Sequence, residues 1–437
     1  MEPWQLAVIL WSGMLLLIVL GIPIAFAIGS VAVVGSIWLW GGLHGLAVFS
    51  ESAFYLMNST SFFAIPLFML MAELLRHSGV AANIYVVAER WVGRLPGGLG
   101  VSTLIMAAIL GAMLGVSPAS CAIMTSTSME PMLKRGYDKR LVVGLICAGG
   151  AIGVVIPPSV IMIVYATFSG ESIGKMFAGG MCIGLAIVLI MIAYVLITSA
   201  CHPERAPSTT EKYSWKEKIV SIKGIIIPVV IIILILGSIY AGIATATEAS
   251  GIGAFSVLLI TISVRSKGIW KVLKTALLDT SRMFCMVAWI AICAIAFSKV
   301  VQFAGVPEWI VKIMSGLPVS KWLILIAMVL IVFVLGFILD PIGIIMMITP
   351  VFAPVVLALG IDSLWFAILF IVVLHTSYIT PPVGFNLFIM KVMVPPEITT
   401  QDIYMGVIPF VGLELLGVAL LIIFPPIVTW LPNILYR

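Results

Sequence analysis

Two proline pairs interrupt long apolar stretches of this sequence at positions that could carry chemistry. Pro157-Pro158 lies within GVVIPPSVIMIVYA (153–166), and Pro381-Pro382 lies within TPPVG (380–384). Proline removes a backbone donor and clashes with the preceding turn, so no straight helix passes through either pair. A helix that breaks in apolar surroundings exposes carbonyl oxygens and helix ends that need a partner. Each break is therefore a candidate site for a cation or a solute, with a simple proline kink as the alternative for either pair taken alone.

The elements that position these breaks are membrane helices. Of the 437 residues, 62% are hydrophobic and 9% are charged, whereas soluble domains carry about a quarter charged residues. Apolar runs of about 20 residues, long enough to cross a bilayer, recur along the chain. The composition therefore predicts an all-α polytopic membrane protein. The basic residues behind the net charge of +5 are scattered over short loops, which gives no case for nucleic acid. The six cysteines show no CxxC spacing, so neither a cysteine-bound metal nor a disulfide is expected.

The predicted elements fall into two series. The first basic residue is Arg76, and a cleavable signal would begin with a basic region, so we expect the first apolar segment to be retained as a helix. In the first half we predict helices near 4–20, 22–41 and 61–75, a loop with Arg76, Arg90 and Arg94, a hairpin at 97–133 broken at GVSPAS (115–120), a broken helix at 141–166, a helix at 176–200 and a polar loop at 202–224. In the second half we predict helices near 225–242 and 246–264, a basic segment at 265–282, a helix at 283–300, a hairpin at 320–358 broken at LDPIG (339–343), a broken helix at 363–390 and a last helix near 405–431.

The distribution of Lys and Arg orients this layout, because these residues concentrate on the cytoplasmic side of membrane proteins. With the N-terminus outside and both hairpins re-entrant, 18 of the 23 basic residues fall inside. This bias supports the layout and places both termini on the outer face.

An internal repeat relates the two halves. Four pairs of motifs recur at nearly one spacing: Pro157-Pro158 and Pro381-Pro382 at 224 residues, Gly136-Tyr137-Asp138 and Gly360-Ile361-Asp362 at 224, Gly79-Val80 and Gly305-Val306 at 226, and Leu95-Pro96 and Leu317-Pro318 at 222. In the predicted topology the halves 1–224 and 225–437 have the same order of elements but opposite orientation. Inverted repeats with paired interrupted segments are typical of secondary transporters, whose binding site lies near the membrane midplane. We expect a scaffold made of helices within 1–60, 176–200, 225–264 and 405–431.

The sequence resembles one family of transporters, the DctM-like large membrane subunits of TRAP (tripartite ATP-independent periplasmic) transporters, over essentially the whole chain. The similar stretches are KRGYDKRL (134–141), GVVIPPSVIMIVYATFSGESIGKMFAGG (153–180), ATEASGIGA (246–254), GIDSLWFAILFIVVLHTSYITPPVGFNLF (360–388) and WLP (430–432). The resemblance implies a Na⁺-coupled, elevator-type importer in the bacterial inner membrane, with a transport domain that moves against the scaffold. The implied partners are a small four-helix membrane subunit, a periplasmic solute-binding protein and a small organic anion, either a carboxylate or a sulfonate.

The resemblance also assigns candidate binding residues, since Na⁺ is a hard cation that prefers oxygen ligands. The first predicted Na⁺ site combines the first hairpin tip with the first break: Gly115, Ser117, Ser120, Ile156, Pro157 and Pro158. The second, by symmetry, combines Asp340 and Gly343 with Thr380, Pro381 and Gly384. Four residues are also candidates for solute binding: Ser117, Asp340, Thr380 and Asn386. Helix packing or capping is the alternative for these side chains, and for Asn386 the alternative is a link between the broken helix and a hairpin.

Other polar residues in apolar stretches carry weaker expectations. His375 is expected to be a hydrogen-bonded packing residue rather than a proton carrier. Glu73, Glu130 and Glu414 are expected near helix ends, where carboxylates cap helices or reach towards water. Lys299 is expected to reach towards the outer membrane boundary rather than to pair with a solute.

Two other functions fit parts of the pattern. A stand-alone divalent-anion/Na⁺ symporter would share the inverted repeat, but the TPPVGFNLF stretch argues against it. An intramembrane hydrolase would need a nucleophile and a base or a metal pair, yet HExxH is absent and Ser377 lies two residues from His375, on a different helix face. We therefore expect neither an enzyme nor an organic cofactor.

Overall fold

Every regular element that the structure describes is helical. The computed structural model describes residues 2–208, 211, 213–264, 268–316, 320–337 and 339–436. The α-helices are α1 (Pro3–Val19), α2 (Ile24–Leu39), α3 (Ala47–Asn58), α4 (Ala64–Ser78), α5 (Val80–Val92), α6 (Gly98–Leu114), α7 (Ser117–Met124), α8 (Glu130–Lys134), α9 (Lys139–Ala151), α10 (Val160–Ser169), α11 (Ile173–Cys201), α12 (Trp215–Ser221), α13 (Lys223–Tyr240), α14 (Ala246–Val264), α15 (Ile269–Phe303), α16 (Val306–Gly316), α17 (Lys321–Gly336), α18 (Pro341–Ala358), α19 (Ser363–Ser377), α20 (Phe385–Met393), α21 (Thr400–Ile423) and α22 (Pro426–Leu435). Six of them are long and apolar enough to cross a membrane by themselves, and the bent α3–α4 pair makes a seventh candidate.

The repeated sequence motifs mark the same local structures in both halves. Gly136 and Gly360 have positive φ values of 81° and 63°, which glycine adopts without steric cost. Two residues later, Asp138 and Asp362 accept backbone hydrogen bonds at the N-termini of α9 and α19. The motif is therefore a left-handed turn followed by a helix cap. The Leu317-Pro318 motif lies outside the described residues.

The order of elements repeats along the chain. α1 and α2 correspond to α13 and α14, α3–α4 to α15, α5 and α6 to α16 and α17, α7–α8 to α18, and α9–α11 to α19–α21. The helical pieces Leu43–Asn58 and Thr60–His77 meet at 69°, whereas their counterpart α15 is one helix of 35 residues. The halves interlock reciprocally, because α2 packs against α15 and α14 packs against α4.

The two repeats run in opposite directions. At the start of α9, Arg140 contacts Asp402 at the start of α21. At the start of α19, the counterpart of α9, the indole of Trp365 donates to Leu421 O near the other end of α21. Helices that correspond in sequence therefore begin at opposite ends of the molecule, and the inverted repeat predicted from the sequence is confirmed.

Both broken segments turn back on themselves. In the first, the backbone amide of Leu99 at the start of α6 donates to the Tyr137 hydroxyl beyond α8, 3.2 Å away. In the second, Lys321 and Trp322 at the start of α17 line a pocket with Gly360 and Ile361, which follow α18. Each segment returns to the side from which it came, as a re-entrant hairpin does.

Small residues bring the hairpins close to the broken helices. A Cβ atom added to Gly111 of α6 would lie 3.1 Å from the Cα of Gly153, and one added to Gly336 of α17 would lie 2.1 Å from Ser377 Oγ. These pairs occupy corresponding places in the two repeats. Close backbone approach of this kind replaces the hydrophobic effect as the basis of helix packing in lipid.

Four parts of the predicted layout are wrong in detail. The described part of the basic segment 265–282 belongs to α15, since no proline or glycine interrupts the chain from Ile269 to Phe303; residues 265–267 lie outside the described part. The predicted loop with Arg76 and Arg90 contains the amphipathic helix α5. The stretch between 41 and 61, for which no helix was predicted, contains α3. The last predicted helix, 405–431, is split into α21 and α22 at Phe424–Pro425.

Candidate solute and cation site

Both hairpin tips line one cavity of about 390 Å³. One wall consists of the tips and of the residues that flank the second break: Ser117, Pro118, Asp340, Ile342, Tyr378 and Phe385. The opposite wall belongs to α4 and α15, with Glu73, Arg76, Met283 and Met286. A volume of this size lies within the range of small-molecule sites, about 300–1,000 Å³.

The first predicted Na⁺ set comes together in the fold. Gly115 ends α6 with φ at +63°, and its carbonyl accepts a hydrogen bond from Val160 N at 3.3 Å. A Cβ atom added to Gly115 would lie 2.3 Å from Pro158 O. Ser120 Oγ donates to Val116 O at 3.1 Å, and Ile156, Pro157 and Pro158 are all buried. The first tip thus lies directly against the first break, and whether these oxygens hold Na⁺ stays a prediction.

The second predicted set is more dispersed. Asp340 caps α18, accepting hydrogen bonds from Ile342 N (3.0 Å) and Gly343 N (3.2 Å), and it lines the cavity. Thr380 Oγ1 donates to Thr376 O at 2.7 Å, and Gly384 has φ at +46°. Thr380, Pro381 and Gly384 do not line the cavity. The structure therefore brings Asp340 to the cavity. Of the second break, only the flanking residues Tyr378 and Phe385 reach the cavity wall.

Asn386 links three elements. Its side-chain oxygen accepts a hydrogen bond from Ser117 Oγ at 2.8 Å, and its side-chain nitrogen donates to Cys147 O at 2.8 Å. The side chain is fully buried. In this conformation one lone pair of Oδ1 and one N–H of the amide have protein partners, and the side chain has no exposed surface. A solute-binding role for Asn386 stays a prediction.

Two helix N-termini next to the cavity have no side-chain cap. Ser159 caps α10 and Asp340 caps α18, but α7 follows Val116 and α20 follows Gly384, neither of which supplies a capping side chain. α7 and α20 pack against each other. The first N–H groups of a helix lack intrahelical partners, and the helix dipole favours negative charge there. At α7 the second residue, Pro118, has no N–H, and at α20 the backbone amide of Asn386 already donates to Tyr378 O at 3.1 Å, so the helix dipoles rather than free donors favour negative charge at this part of the wall.

The opposite wall carries an ion cluster that the sequence prediction missed. Arg76 Nη2 lies 2.6 Å from a Glu73 oxygen and 3.1 Å from Asp279 Oδ2. Arg76 and Glu73 are three residues apart on α4, and the sequence signal was this i, i+3 spacing at the end of an apolar helix. The prediction assigned Arg76 to a loop because it ended the helix at residue 75, whereas α4 continues to Ser78.

A second buried polar pair was also missed. His375 Nε2 lies 3.1 Å from Glu414 Oε1, and both side chains are fully buried. The expectation that Glu414 lies near a helix end is wrong, because Glu414 lies in the interior of α21. Neither nitrogen of His375 makes a hydrogen bond within the described part of the chain, so the expectation of a hydrogen-bonded histidine is wrong. The contact joins α19 to α21 within the membrane region.

Comparison with known proteins identifies the family. The model of the tripartite ATP-independent periplasmic transporter, DctM component, matches residues 11–427. This chain belongs to the DctM family. It is therefore a multi-pass membrane component of a secondary transporter and not an enzyme, and membership implies a tripartite assembly with a small membrane subunit and a periplasmic binding protein.

Curated relatives cover nearly the same length. The C4-dicarboxylate TRAP transporter large permease protein DctM of Vibrio cholerae is 29% identical over 96% of both chains. The ectoine TRAP transporter large permease protein TeaC of Halomonas elongata is 30% identical over 98% of this chain and 99% of its own length. The isethionate TRAP transporter permease protein DctMQ of Oleidesulfovibrio alaskensis is 30% identical over 93% of this DctM-family chain and 63% of its own length.

Two solved structures share the fold. The YdaH transporter of Alcanivorax borkumensis superposes with a TM-score of 0.66 at 14% identity, covering 89% of this chain and 90% of that one. MtrF of Neisseria gonorrhoeae superposes with a TM-score of 0.58 at 14% identity, covering 87% and 85%. At this identity the likeness concerns the fold alone.

Proposed function

We propose that this DctM-family chain imports a small organic anion, a carboxylate or a sulfonate, in symport with Na⁺. The observation that carries the proposal is the cavity that both hairpin tips line together with Tyr378 and Phe385, beside the uncapped N-termini of α7 and α20. The printed names of the relatives include a C4-dicarboxylate and isethionate, which are acids of the proposed classes.

Na⁺ fits the donors at the tips. The hydroxyls of Ser117 and Ser120, the Asp340 carboxylate, the Thr380 hydroxyl and the carbonyls of both breaks are hard oxygen ligands of the kind that Na⁺ requires. An ionised carboxylate within the membrane, such as that of Asp340, is energetically costly to bury and usually marks a functional site. A bound cation would neutralise the charge and lower that cost. Na⁺ bound at the tips would also reduce repulsion between Asp340 and an anionic solute.

We propose an elevator mechanism for the movement. The transport domain consists of both hairpins and both broken helices, and it moves as one body against the scaffold helices. Hydrogen bonds such as Ser117–Asn386 join the two repeats within the moving part. The distribution of basic residues supports an inner-membrane orientation with both termini in the periplasm. A periplasmic solute-binding protein would then deliver the anion to the outer face, beside the small four-helix membrane subunit.

A reconstituted uptake assay tests this function. Proteoliposomes would contain the chain with its small subunit, and a solute-loaded periplasmic protein would be added with an inward Na⁺ gradient or with K⁺ in its place. We expect uptake that requires both Na⁺ and the soluble protein. Uptake without the soluble protein would indicate a stand-alone symporter instead, and uptake indifferent to Na⁺ would overturn the proposed coupling.

A further inference from the structure

The cavity wall formed by α4 carries a cationic side chain. Three charged side chains line the cavity within the described residues: Glu73, Arg76 and Asp340. Arg76 is the one cation among them. It belongs to α4, which lies outside the hairpins and broken helices of the proposed transport domain, whereas Ser117 and Asp340 belong to the hairpin tips that line the same cavity.

Two carboxylates hold the guanidinium of Arg76 in place, but they do not occupy all of its N–H donors. Its Nε donates to Glu73 Oε2 at 2.8 Å, and its Nη2 contacts Glu73 and also donates to Asp279 Oδ2 at 3.1 Å. No hydrogen bond within the described part of the chain uses Nη1, so two N–H donors remain. A planar guanidinium that presents such donors in fixed geometry matches a carboxylate or a sulfonate.

Glu73 and Asp279 also determine how tightly Arg76 can bind an anion. Glu73 and Asp279 together offset the charge of Arg76, so the guanidinium would hold an anion weakly through its remaining donors. Weak binding suits a group that must release its ligand in every cycle. Removing one carboxylate should therefore strengthen binding, whereas removing the guanidinium should weaken it.

We propose that Arg76 of α4 is a solute-binding residue outside the transport domain, which holds the acidic group of the solute while the hairpin tips stand opposite α4. The inference rests on the proposed function and deepens it by adding a contact outside the transport domain. Because α4 is not part of the proposed transport domain, this contact exists in one position of that domain only. By the predicted orientation, Arg76 lies on the cytoplasmic side, so it acts on the affinity for internal solute.

Four variants separate binding from structure. R76Q removes the charge, R76K keeps a charge without the planar fork, and E73Q frees the guanidinium from one carboxylate. R282Q is the matched control, because Arg282 also pairs with Asp279, at 3.7 Å, but is largely exposed and does not line the cavity. Binding of succinate and isethionate to the intact membrane complex in nanodiscs would be measured, with uncharged succinamide as the control ligand.

We expect R76Q to raise the dissociation constant for the acid that binds by about 10-fold, as loss of one charge-assisted hydrogen-bonding group predicts. R76K should fall between R76Q and the original chain, E73Q should bind more tightly, and R282Q should bind unchanged. Unchanged binding in R76Q, equal loss in R282Q, or weaker binding in E73Q would overturn the role of Arg76 while leaving the proposed function intact. If the original chain binds neither acid, the proposed anion class fails first, and the role of Arg76 fails with it.

Discussion

Ser117 and Asn386 are 269 residues apart in sequence, yet Ser117 Oγ donates to Asn386 Oδ1 at 2.8 Å. Ser117 begins α7 at the first hairpin tip, and Asn386 lies in the first turn of α20, after the second break. One hydrogen bond therefore joins the interrupted segments of both repeats beside the candidate site. Two half-helices that meet in this way can position a site only if they move together.

Removing this link should loosen the transport domain. N386A leaves the Ser117 hydroxyl and Cys147 O without their buried partner, so we expect a loss of about 1–3 kcal/mol in stability. The unfolding temperature of the purified complex measures the effect. S126A is the control, because the exposed Ser126 donates to Ile123 O, three residues earlier, and does not link separate segments. S117A should lose less stability. If S117A abolishes transport at an unchanged unfolding temperature, its hydroxyl acts on the ion or the solute rather than on the link.

Gly115 should tolerate no side chain. G115A places a Cβ 2.3 Å from Pro158 O at a residue with φ at +63°, and the left-handed conformation alone costs about 1–2 kcal/mol for alanine. We expect the tip to shift away from the first break and Na⁺-driven uptake to fall by about 10-fold or more, since a site built to tolerances of about 0.5 Å is displaced. G412A is the control, because a Cβ there meets nothing within 4 Å. Full uptake by G115A would show that the tip does not need this contact.

Asp340 should control the response to Na⁺. Asn is as good an N-cap as Asp, so D340N keeps the start of α18 but removes the carboxylate charge. We expect the Na⁺ concentration for half-maximal uptake to rise by about 10-fold, because ligand charge sets cation affinity. D362N is the matched control, since Asp362 caps α19 by accepting from Trp365 N at 2.7 Å but does not line the cavity. An equal shift in both variants would mean that helix capping, not cation binding, is affected.

The pair His375–Glu414 should behave as a unit. Both groups are fully buried and His375 Nε2 lies 3.1 Å from Glu414 Oε1, so removing either one leaves the other polar side chain buried without this contact, at a cost of about 1–3 kcal/mol. H375L and E414L should each lower the free energy of unfolding strongly, and the double variant should lose less than the sum. Denaturation of the four proteins gives the coupling energy, with exposed E397Q as a control. Additivity within about 0.5 kcal/mol would show that the two residues do not interact.

Much of the architecture could be read from the sequence because its causes are local. Proline pairs break helices wherever they occur, and the motif from Gly136 to Asp138, repeated at Gly360 to Asp362, combines a left-handed turn with a cap. Where local signals were weak, the prediction failed. α15 crosses the region read as a basic segment because helical propensity continues through charged residues, and α5 was missed because its amphipathic pattern is short.

The sequence by itself determined the membrane class, the inverted repeat and the positions of the breaks, since composition and spacing depend only on the chain. The tertiary structure decided which breaks face each other and which side chains lie between them. Residues far apart in sequence, such as Arg76 and Asp279 or His375 and Glu414, become partners only when helices pack, and no spacing rule along the chain contains that information. The role of Arg76 is one that only the cavity shared by α4 and the hairpin tips could suggest.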